Sequence, residues 1–497
     1  MTVRRPSAKR AAVALVCGLA LMLLGGSQAA LAAPDDVTFE GESMSLPSND
    51  GTNNFDANAS GNQTKAIWTN GTATKTVTTT RSTVHLFVRA RGDWCQGDPT
   101  ISVKVDGHEW YAGPVSTSGN SLQASSYKWI GVRVSIPSGS HAVSVGQTNN
   151  YDLWVGSTKV CDRSVYIDKL TLVATPFSPT GWRNTPLADN APIAANSSLL
   201  RDELIDQIND SLALGSGPAA AGVWVNTDQW SVPVYTVPPD QPTVAVTPNP
   251  QRADLAAQWS AVPLPPDAKP AAPANGDRAL LVWQPSTDTL WEFWLFSRDA
   301  SGKASAAYGG RMTNVSQQEG HFTDPPTGPG AGFGTNATSI AELAGLQRIE
   351  EIRRGVIDHA IDFQVATPRG RAGWCWPAQR TDGYLTSKDP AAIPGGTRFR
   401  FPASFDLDAY AADPAHPLHR YALMVAKAIQ KYGMVADNSA GVVSFVAEDP
   451  TPTGSNPYGS FWDNKYPNAQ PNGLFANFPW SQLQVVQPGG FGCVDKP

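Results

Sequence analysis

"YDLWVGSTKVCDRSVYIDKLTL", residues 151–172, changes character half-way. From Ser164 onward it alternates apolar and polar side chains, the period of a half-buried strand. Before that it is polar and aromatic, bent by Gly156, and carries Cys161-Asp162-Arg163. A strand therefore anchors a loop that gathers oxygen-bearing side chains, exposed aromatics and a cysteine.

Working outward, the neighbouring segments repeat the strand pattern. "STVHLFVRARG" (82–92) places Val84, Leu86, Val88 and Ala90 on one face. "TISVKVDG" (100–107), "KWIGVRVSIPSG" (128–139) and "HAVSVG" (141–146) alternate and end at turn residues. Short strands separated by turns predict a jelly-roll-like β-sandwich over 35–175. After Val173 the chain becomes rich in Pro, Ala and small polar residues, which predicts a linker at 176–198 and a second domain over 199–497. That larger domain is expected to be β-rich and sandwich-like with a few helices, so the chain is mainly β. Helices are predicted at 196–213, 339–355 and 418–433. Strands are predicted at 219–225, 279–284, 289–297, 355–366, 397–402 and 442–448.

The N-terminus reads as a secretory leader over 1–32. Arg4, Arg5, Lys9 and Arg10 precede an apolar run, and Ala30-Leu31-Ala32 forms a small-residue cleavage pattern. Its loss removes four positive charges and moves the formal net charge from −6 to −10. An acidic chain with scattered charges is a poor nucleic-acid binder, and no second apolar run approaches the length of a membrane span. The expected product is an extracellular monomer without nucleic-acid or membrane partners. Cys17 leaves with the leader, so Cys95, Cys161, Cys375 and Cys493 remain. Three pairings are possible. Two separate domains favour Cys95–Cys161 and Cys375–Cys493.

A Cys95–Cys161 bridge ties the loop to "RARGDWCQGDP" (89–99), which brings Asp93, Trp94 and Asp98 near it. Asn150, Asp152 and Asp162 offer the hard oxygen ligands that calcium prefers. Three stretches carry a resemblance: "FEGESM" (39–44), "VRARGDWCQGDPTISVKVDG" (88–107) and "TNNYDLW…CDRSVYIDKLTL". Over residues 37–173 the chain resembles the calcium-dependent, xylan-binding carbohydrate-binding modules. The resemblance implies a Ca2+ ion held by Asn150, Asp152 and Asp162 that binds sugar hydroxyls, with Trp154 or Tyr151 as neighbouring sugar contacts; stacking on Trp94 or Trp154 is the alternative to a calcium-mediated contact. It also implies a structural calcium at Glu40 and Glu42, for which a solvated acidic strand is the alternative. The chain departs from the family at Asn149-Asn150, where Asn-Asp is frequent, and at Ser164, where Asn is frequent.

The second domain lacks a nucleophile elbow, a zinc helix, a phosphate loop and a dinucleotide fingerprint. Its candidates are carboxylates in unusual settings. In "TLWEFWLF" (289–296) a regular strand puts Leu290, Glu292, Trp294 and Phe296 on one face and Trp291, Phe293 and Leu295 on the other. Glu292 is thus a carboxylate among aromatics, where burial raises its pKa and suits it to general acid catalysis. In "GVIDHAIDFQV" (355–365), Asp358, Asp362 and Gln364 share a face. His359 falls on the opposite, apolar face, where a core histidine is the competing explanation. "WCWPAQRTDG" (374–383) adds Trp376 and Arg380, and "YGMVADN" (432–438) adds Asp437. The spacing of these motifs over 280–485 resembles a group of exported bacterial proteins. That resemblance brings no activity with it and directs attention to Glu292, Asp358, His359 and Asp437.

Together these features predict a secreted polysaccharide-active protein. A glycoside hydrolase acting on plant cell-wall glycan of the xylan type is expected, with Glu292 as acid and Asp358 as base or nucleophile. A polysaccharide lyase and a non-catalytic, wall-associated glycan binder are the alternatives.

Overall fold

The computed structural model describes residues 33–116, 126–213, 222–248, 253–323, 333–370, 373–381, 389–415, 417–461 and 473–495. The leader expected at 1–32 and the start of the strand expected at 219–225 lie outside the described residues. The architecture is mainly β, with 38% strand against 17% helix.

The first lobe is two facing antiparallel sheets. One runs Gly51–Phe55, Gln63–Ile67, Val165–Ala174, Thr83–Gly92, Lys128–Ile136, and Val37–Glu40 also pairs with Val165–Ala174. The other runs Thr72–Thr79, Gly139–Gln147, Thr100–Val105, His108–Pro114. Alternation sends Leu86, Val88 and Ala90 inward onto Val103, Val143 and Ile167. Val84 does not join them. The pairing register shifts between Thr83 and His85, and Val84 packs on a different cluster with Phe87 and Val173.

The second lobe is built from smaller sheets that mix parallel and antiparallel pairs. One follows the order Trp224–Asn226, Ser444–Val446, Ile361–Val365, Met434–Ser439, Arg398–Arg400, Gln484–Val485. Its apolar face packs against the helices Ser197–Ala213 and Arg420–Tyr432. A second sheet runs Val234–Thr236, Leu280–Gln284, Thr289–Trp294, Tyr308–Thr313. Two sequence expectations fail here for backbone reasons. The helix expected over 339–355 is two short pieces, Glu342–Gly345 and Ile349–Arg354. Between them the chain extends so that Gln347 can pair with Ala447 beside the first sheet. The strand expected from 355 begins only at Ile361, because Gly355 closes the preceding helix in a left-handed conformation with φ 82°. Asp358 therefore lies outside the strand face it was expected to share with Asp362 and Gln364.

The first part of the stretch read as a linker is packed. Phe177, Trp182 and Arg183 are buried. Arg183 donates to both carboxylate oxygens of Asp362 at 2.6 and 2.7 Å and to the Ala360 carbonyl at 3.0 Å. Three large side chains were masked by a Pro- and Ala-rich composition. The lobes also share a core: Phe87 and Val173 from the sandwich meet Val232, Leu281, Leu290, Leu343 and Val446. Arg133 of the sandwich forms an ion pair with the buried Glu448. Around Phe87 and Val173 that sheet is thus covered on both faces. Two disulfides are formed, Cys95–Cys161 and Cys375–Cys493, each within one lobe. Among the described residues no helix is long and apolar enough to cross a membrane.

Candidate functional site

Glu292 sits in the middle of the strand Thr289–Trp294, paired to Leu281 on one side and Gly310 on the other. Leu290 and Trp291 point to opposite cores, as alternation requires. The pattern ends at Leu295, whose φ of 53° turns Phe296 onto Phe293 rather than beside Glu292. Glu292 has no exposed surface. Its carboxylate accepts the N–H of Thr335 at 3.1 Å and of Leu343 at 3.3 Å. Burial pushes its pKa up to about 7, against those hydrogen bonds. The loop reaches the carboxylate because residue 334 is glycine. With φ 70°, a Cβ there would lie 2.6 Å from Oε2.

The loop held by Glu292 delivers further polar groups. Asn336 donates to Asp437 Oδ2 at 2.6 Å and to Glu342 Oε2 at 3.4 Å. Asp437 is fully buried with Oδ1 unpartnered. Burial raises its pKa well above the usual carboxylate range, helped by the charges of Asp362 and Glu342. Glu342 is pushed up to about 8 by burial, then by Glu292 and Asp362. Burial also raises Asp362, and the Arg183 pair opposes that rise. Four carboxyl groups from distant segments are thus packed together with one guanidinium, which bonds Asp362; Glu342 favours the protonated form at neutral pH, Glu292 titrates close to it, and Asp437 is raised well above the usual carboxylate range.

Glu342, 8% exposed, is the member that lines a pocket. It forms part of a narrow pocket of about 40 Å³ with Trp230, Asp277, Trp294, Gln364 and Asn438. Trp230 is half exposed at the mouth, and the Trp294 indole donates to the exposed Asp277 carboxylate at 2.9 Å. Arg380 braces the loop behind, bonded to the Ala337 carbonyl and lying 4.6 Å over the Phe333 ring. Sequence reasoning missed Glu342, because a continuous helix over 339–355 gave it no special setting, and it gave no role to Asn336 or Arg183.

The other catalytic candidates lie elsewhere. Asp358 does not face Glu292: it pairs with Arg354 at 2.6 Å and accepts from Ser82 of the sandwich at 3.4 Å. His359 is in the core, with Nδ1 bonded to the Ala360 carbonyl at 2.9 Å and Nε2 to Glu351 at 3.2 Å. Trp376 packs on Trp182 at 5.6 Å and against Gly490. Of the expected second-lobe residues, Glu292, Asp437 and Trp294 are brought together, with Arg380 behind the same loop.

In the sandwich, Asp152–Val155 and Thr158–Asp162 form a hairpin that sets Asp152 opposite Asp162. Tyr151 and Trp154 are exposed on it, and Trp94 is half-buried near the Cys95–Cys161 bridge. Burial pushes the Asp162 pKa up, and hydrogen bonds from Asp162 and Lys159 bring Asp152 down. Each carboxylate keeps a buried Oδ1 without a partner, which a cation would satisfy. The other oxygens, however, already hold the Lys159 ammonium at 3.2 and 2.8 Å. Asn150 Oδ1 accepts from Gln147 at 3.4 Å. Calcium needs six to eight oxygens, and this donor set, with a lysine in it, does not fit the ion. Glu40 and Glu42 converge on the turn at Ser60 with the buried Asp168. Glu40 is bonded to Ser60 and Lys169, and Asp168 to Arg89, while Glu42 Oε2 is buried without a partner. Among the described residues no group of three or more His, Cys, Asp or Glu side chains is arranged to hold a metal ion.

No family model matches the chain, and no curated protein matches its sequence. Solved structures resemble part of it. The CBM36-1 domain of a multidomain xylanase from the hindgut metagenome of Trinervitermes trinervoides matches at 13% identity and a TM-score of 0.20, over 28% of this chain and 95% of that one. A family 35 carbohydrate-binding module from Clostridium thermocellum matches at 18% identity and 0.22, over 28% and 98%. A cycloisomaltooligosaccharide glucanotransferase from Paenibacillus sp. matches at 16% identity and 0.21, over 29% of this chain and only 18% of its own length. Each likeness covers less than a third of this chain.

Proposed function

We propose that the chain is a secreted glycan-active enzyme, a glycoside hydrolase acting on plant cell-wall polysaccharide of the xylan type, and that Glu342 is its general acid. The observation that carries the reading is Glu342 itself. A carboxyl with its pKa raised to about 8 forms part of a pocket that also holds two tryptophans and the exposed carboxylate of Asp277. Carboxyls whose environments differ this much are how one site supplies an acid and a base together. In this scheme Glu342 gives its proton to the departing glycosidic oxygen. Asn336 and Asp437 fix its orientation, and Glu292 holds the loop through the Leu343 and Thr335 amides. Asp277 acts as base or nucleophile. The pocket admits only a water-sized group, so the sugar rings lie outside it, against Trp230 and Trp294. The exposed Tyr151 and Trp154 on the sandwich hairpin suit the same polymer. The leader-like N-terminus and the two disulfides suit an oxidising, extracellular setting.

The test is to incubate the mature protein with xylans, glucans, galactans and arabinans. New reducing ends are expected, and Glu342→Gln and Asp277→Asn should abolish most of them. Absorbance from an unsaturated product would replace the hydrolase by a lyase. Binding without any product would leave a non-catalytic glycan binder.

A further inference from the structure

A cavity lies at the seam between the two lobes, away from both the acid pocket and the hairpin. Its volume is about 490 Å³, within the roughly 300–1,000 Å³ of small-molecule sites, which favour such domain interfaces. The sandwich contributes Trp110, Tyr111 and Trp129, and the second lobe contributes Tyr235 and Gln241. All five are only partly buried.

The chemistry of the wall narrows what could enter. The Tyr111 hydroxyl donates to the Pro114 carbonyl at 3.2 Å, and the Tyr235 hydroxyl donates to the Lys269 carbonyl at 3.0 Å. With their hydroxyls engaged, these side chains offer ring faces. The charges nearby compensate one another: Arg133 pairs with Glu448 and lies 3.9 Å from Glu350, which in turn bonds Arg353. A strongly charged ligand finds no unbalanced partner there. Two buried polar atoms are left over, Arg133 Nε and a ring nitrogen of His85. His85 is 94% buried in the wall, and its Nε2 has no hydrogen-bond partner. Burial holds its pKa down at about 3, so the ring is neutral. The neighbouring position is Gly131, where a Cβ would come within 2.9 Å of that nitrogen. Ring platforms, a neutral imidazole and a side-chain amide in a charge-balanced cavity fit a neutral molecule with apolar faces and hydroxyl edges.

We propose that this seam cavity is a second saccharide site, binding a neutral oligosaccharide segment between the lobes. The proposal rests on the glycan-active reading for the class of ligand, but not on any residue of the acid pocket. A site assembled from both lobes would hold part of a polymer at a fixed place relative to Glu342.

The test uses the mature full-length chain and four probes: xylohexaose, cellohexaose, β-1,3-galactohexaose and arabinohexaose. Hydrogen exchange should slow over 108–114, 128–133 and 234–241 with at least one probe. Gln241→Ala, in a loop, and Trp110→Ala should each weaken that protection about tenfold by titration (about 1.4 kcal/mol), with unchanged melting temperature for Gln241→Ala. Trp154→Ala on the hairpin should leave seam protection intact. Absence of seam protection with all four probes, or protection indifferent to both seam variants, overturns the proposal. Failure of the function reading is separate: Glu342→Gln would then cleave polymer normally while the seam segments remain protected.

Discussion

The hairpin at 152–162 and the pocket around Glu342 both gather carboxylates, and they treat them in opposite ways. In the hairpin, two aspartates facing each other across one β-pair share a lysine seven residues from the first and three from the second, near solvent. At the pocket and in the core behind it, Glu342, Glu292, Asp362 and Asp437 arrive from four separate segments, and Arg183 from a fifth pairs with Asp362. Charges near water are neutralised at little cost, so they advertise themselves in sequence without being forced into chemistry. Charges in a core must be paired or protonated. With one guanidinium close by and bonded to Asp362, burial pushes all four acids toward the second course, Glu342 to about 8, and a protonated carboxyl at neutral pH is what an acid catalyst requires.

The contrast can be broken most severely at Arg183. Arg183→Met would leave Asp362 buried and unpaired, and removing one partner of such a pair costs about 3–5 kcal/mol. Urea denaturation should show a loss of that size. A loss below about 1 kcal/mol would mean that Asp362 is already neutral.

Glu292 gives a smaller and more informative effect. Both of its oxygens accept backbone N–H groups, so Glu292→Gln turns an amide nitrogen toward one of those donors and should cost about 1–3 kcal/mol. It should also change the pH dependence. Glu292 is protonated in the folded chain up to about pH 7 but only to about 4.5 when unfolded. Its favourable contribution is therefore complete below pH 4.5 and lost as pH rises through 7. Stability measured from pH 4.5 to 7 should fall less steeply in Glu292→Gln than in the parent. An identical slope would place the titrating group elsewhere.

The smallest effect is expected in the hairpin. Lys159→Ala removes a partly exposed ion pair and should change stability by less than about 1 kcal/mol. It also leaves Asp152 and Asp162 facing each other with no cation. Calorimetric titration with calcium should then show binding stronger than in the parent. Equal heats in both proteins would locate any calcium response at another site, with the turn holding Glu40, Glu42 and Asp168 the first to examine.

What could be read in advance follows the same division. The sandwich strands are set by alternation over consecutive residues, so Thr83–Gly92, Lys128–Ile136 and Val165–Ala174 stand where the pattern puts them. Val84 escapes because a register shift is a property of the pair, not of the strand. Glu292 was legible because a lone acid inside "TLWEFWLF" has to be explained. Glu342 was not, because its setting depends on the chain extending at Gln347 to meet Ala447, a long-range contact that helical periodicity hides. Asp358 looked like a partner for the same reason in reverse: periodicity carried the strand across Gly355, where the backbone turns away. Arg183 lay in a segment whose prolines and alanines read as solvent-exposed.

The most direct measurement is the rate of reducing-end release by Glu342→Gln on whichever polysaccharide the parent degrades. Gln keeps the volume and the hydrogen bond from Asn336 can be retained by the carbonyl oxygen, while the transferable proton is lost. General acid–base catalysis contributes about 10²–10⁴-fold, and a fall of that size is predicted, with a folded protein by circular dichroism and with parent activity declining above about pH 8 as Glu342 ionises. Near-parent turnover by Glu342→Gln would contradict the account and remove the pocket from the chemistry.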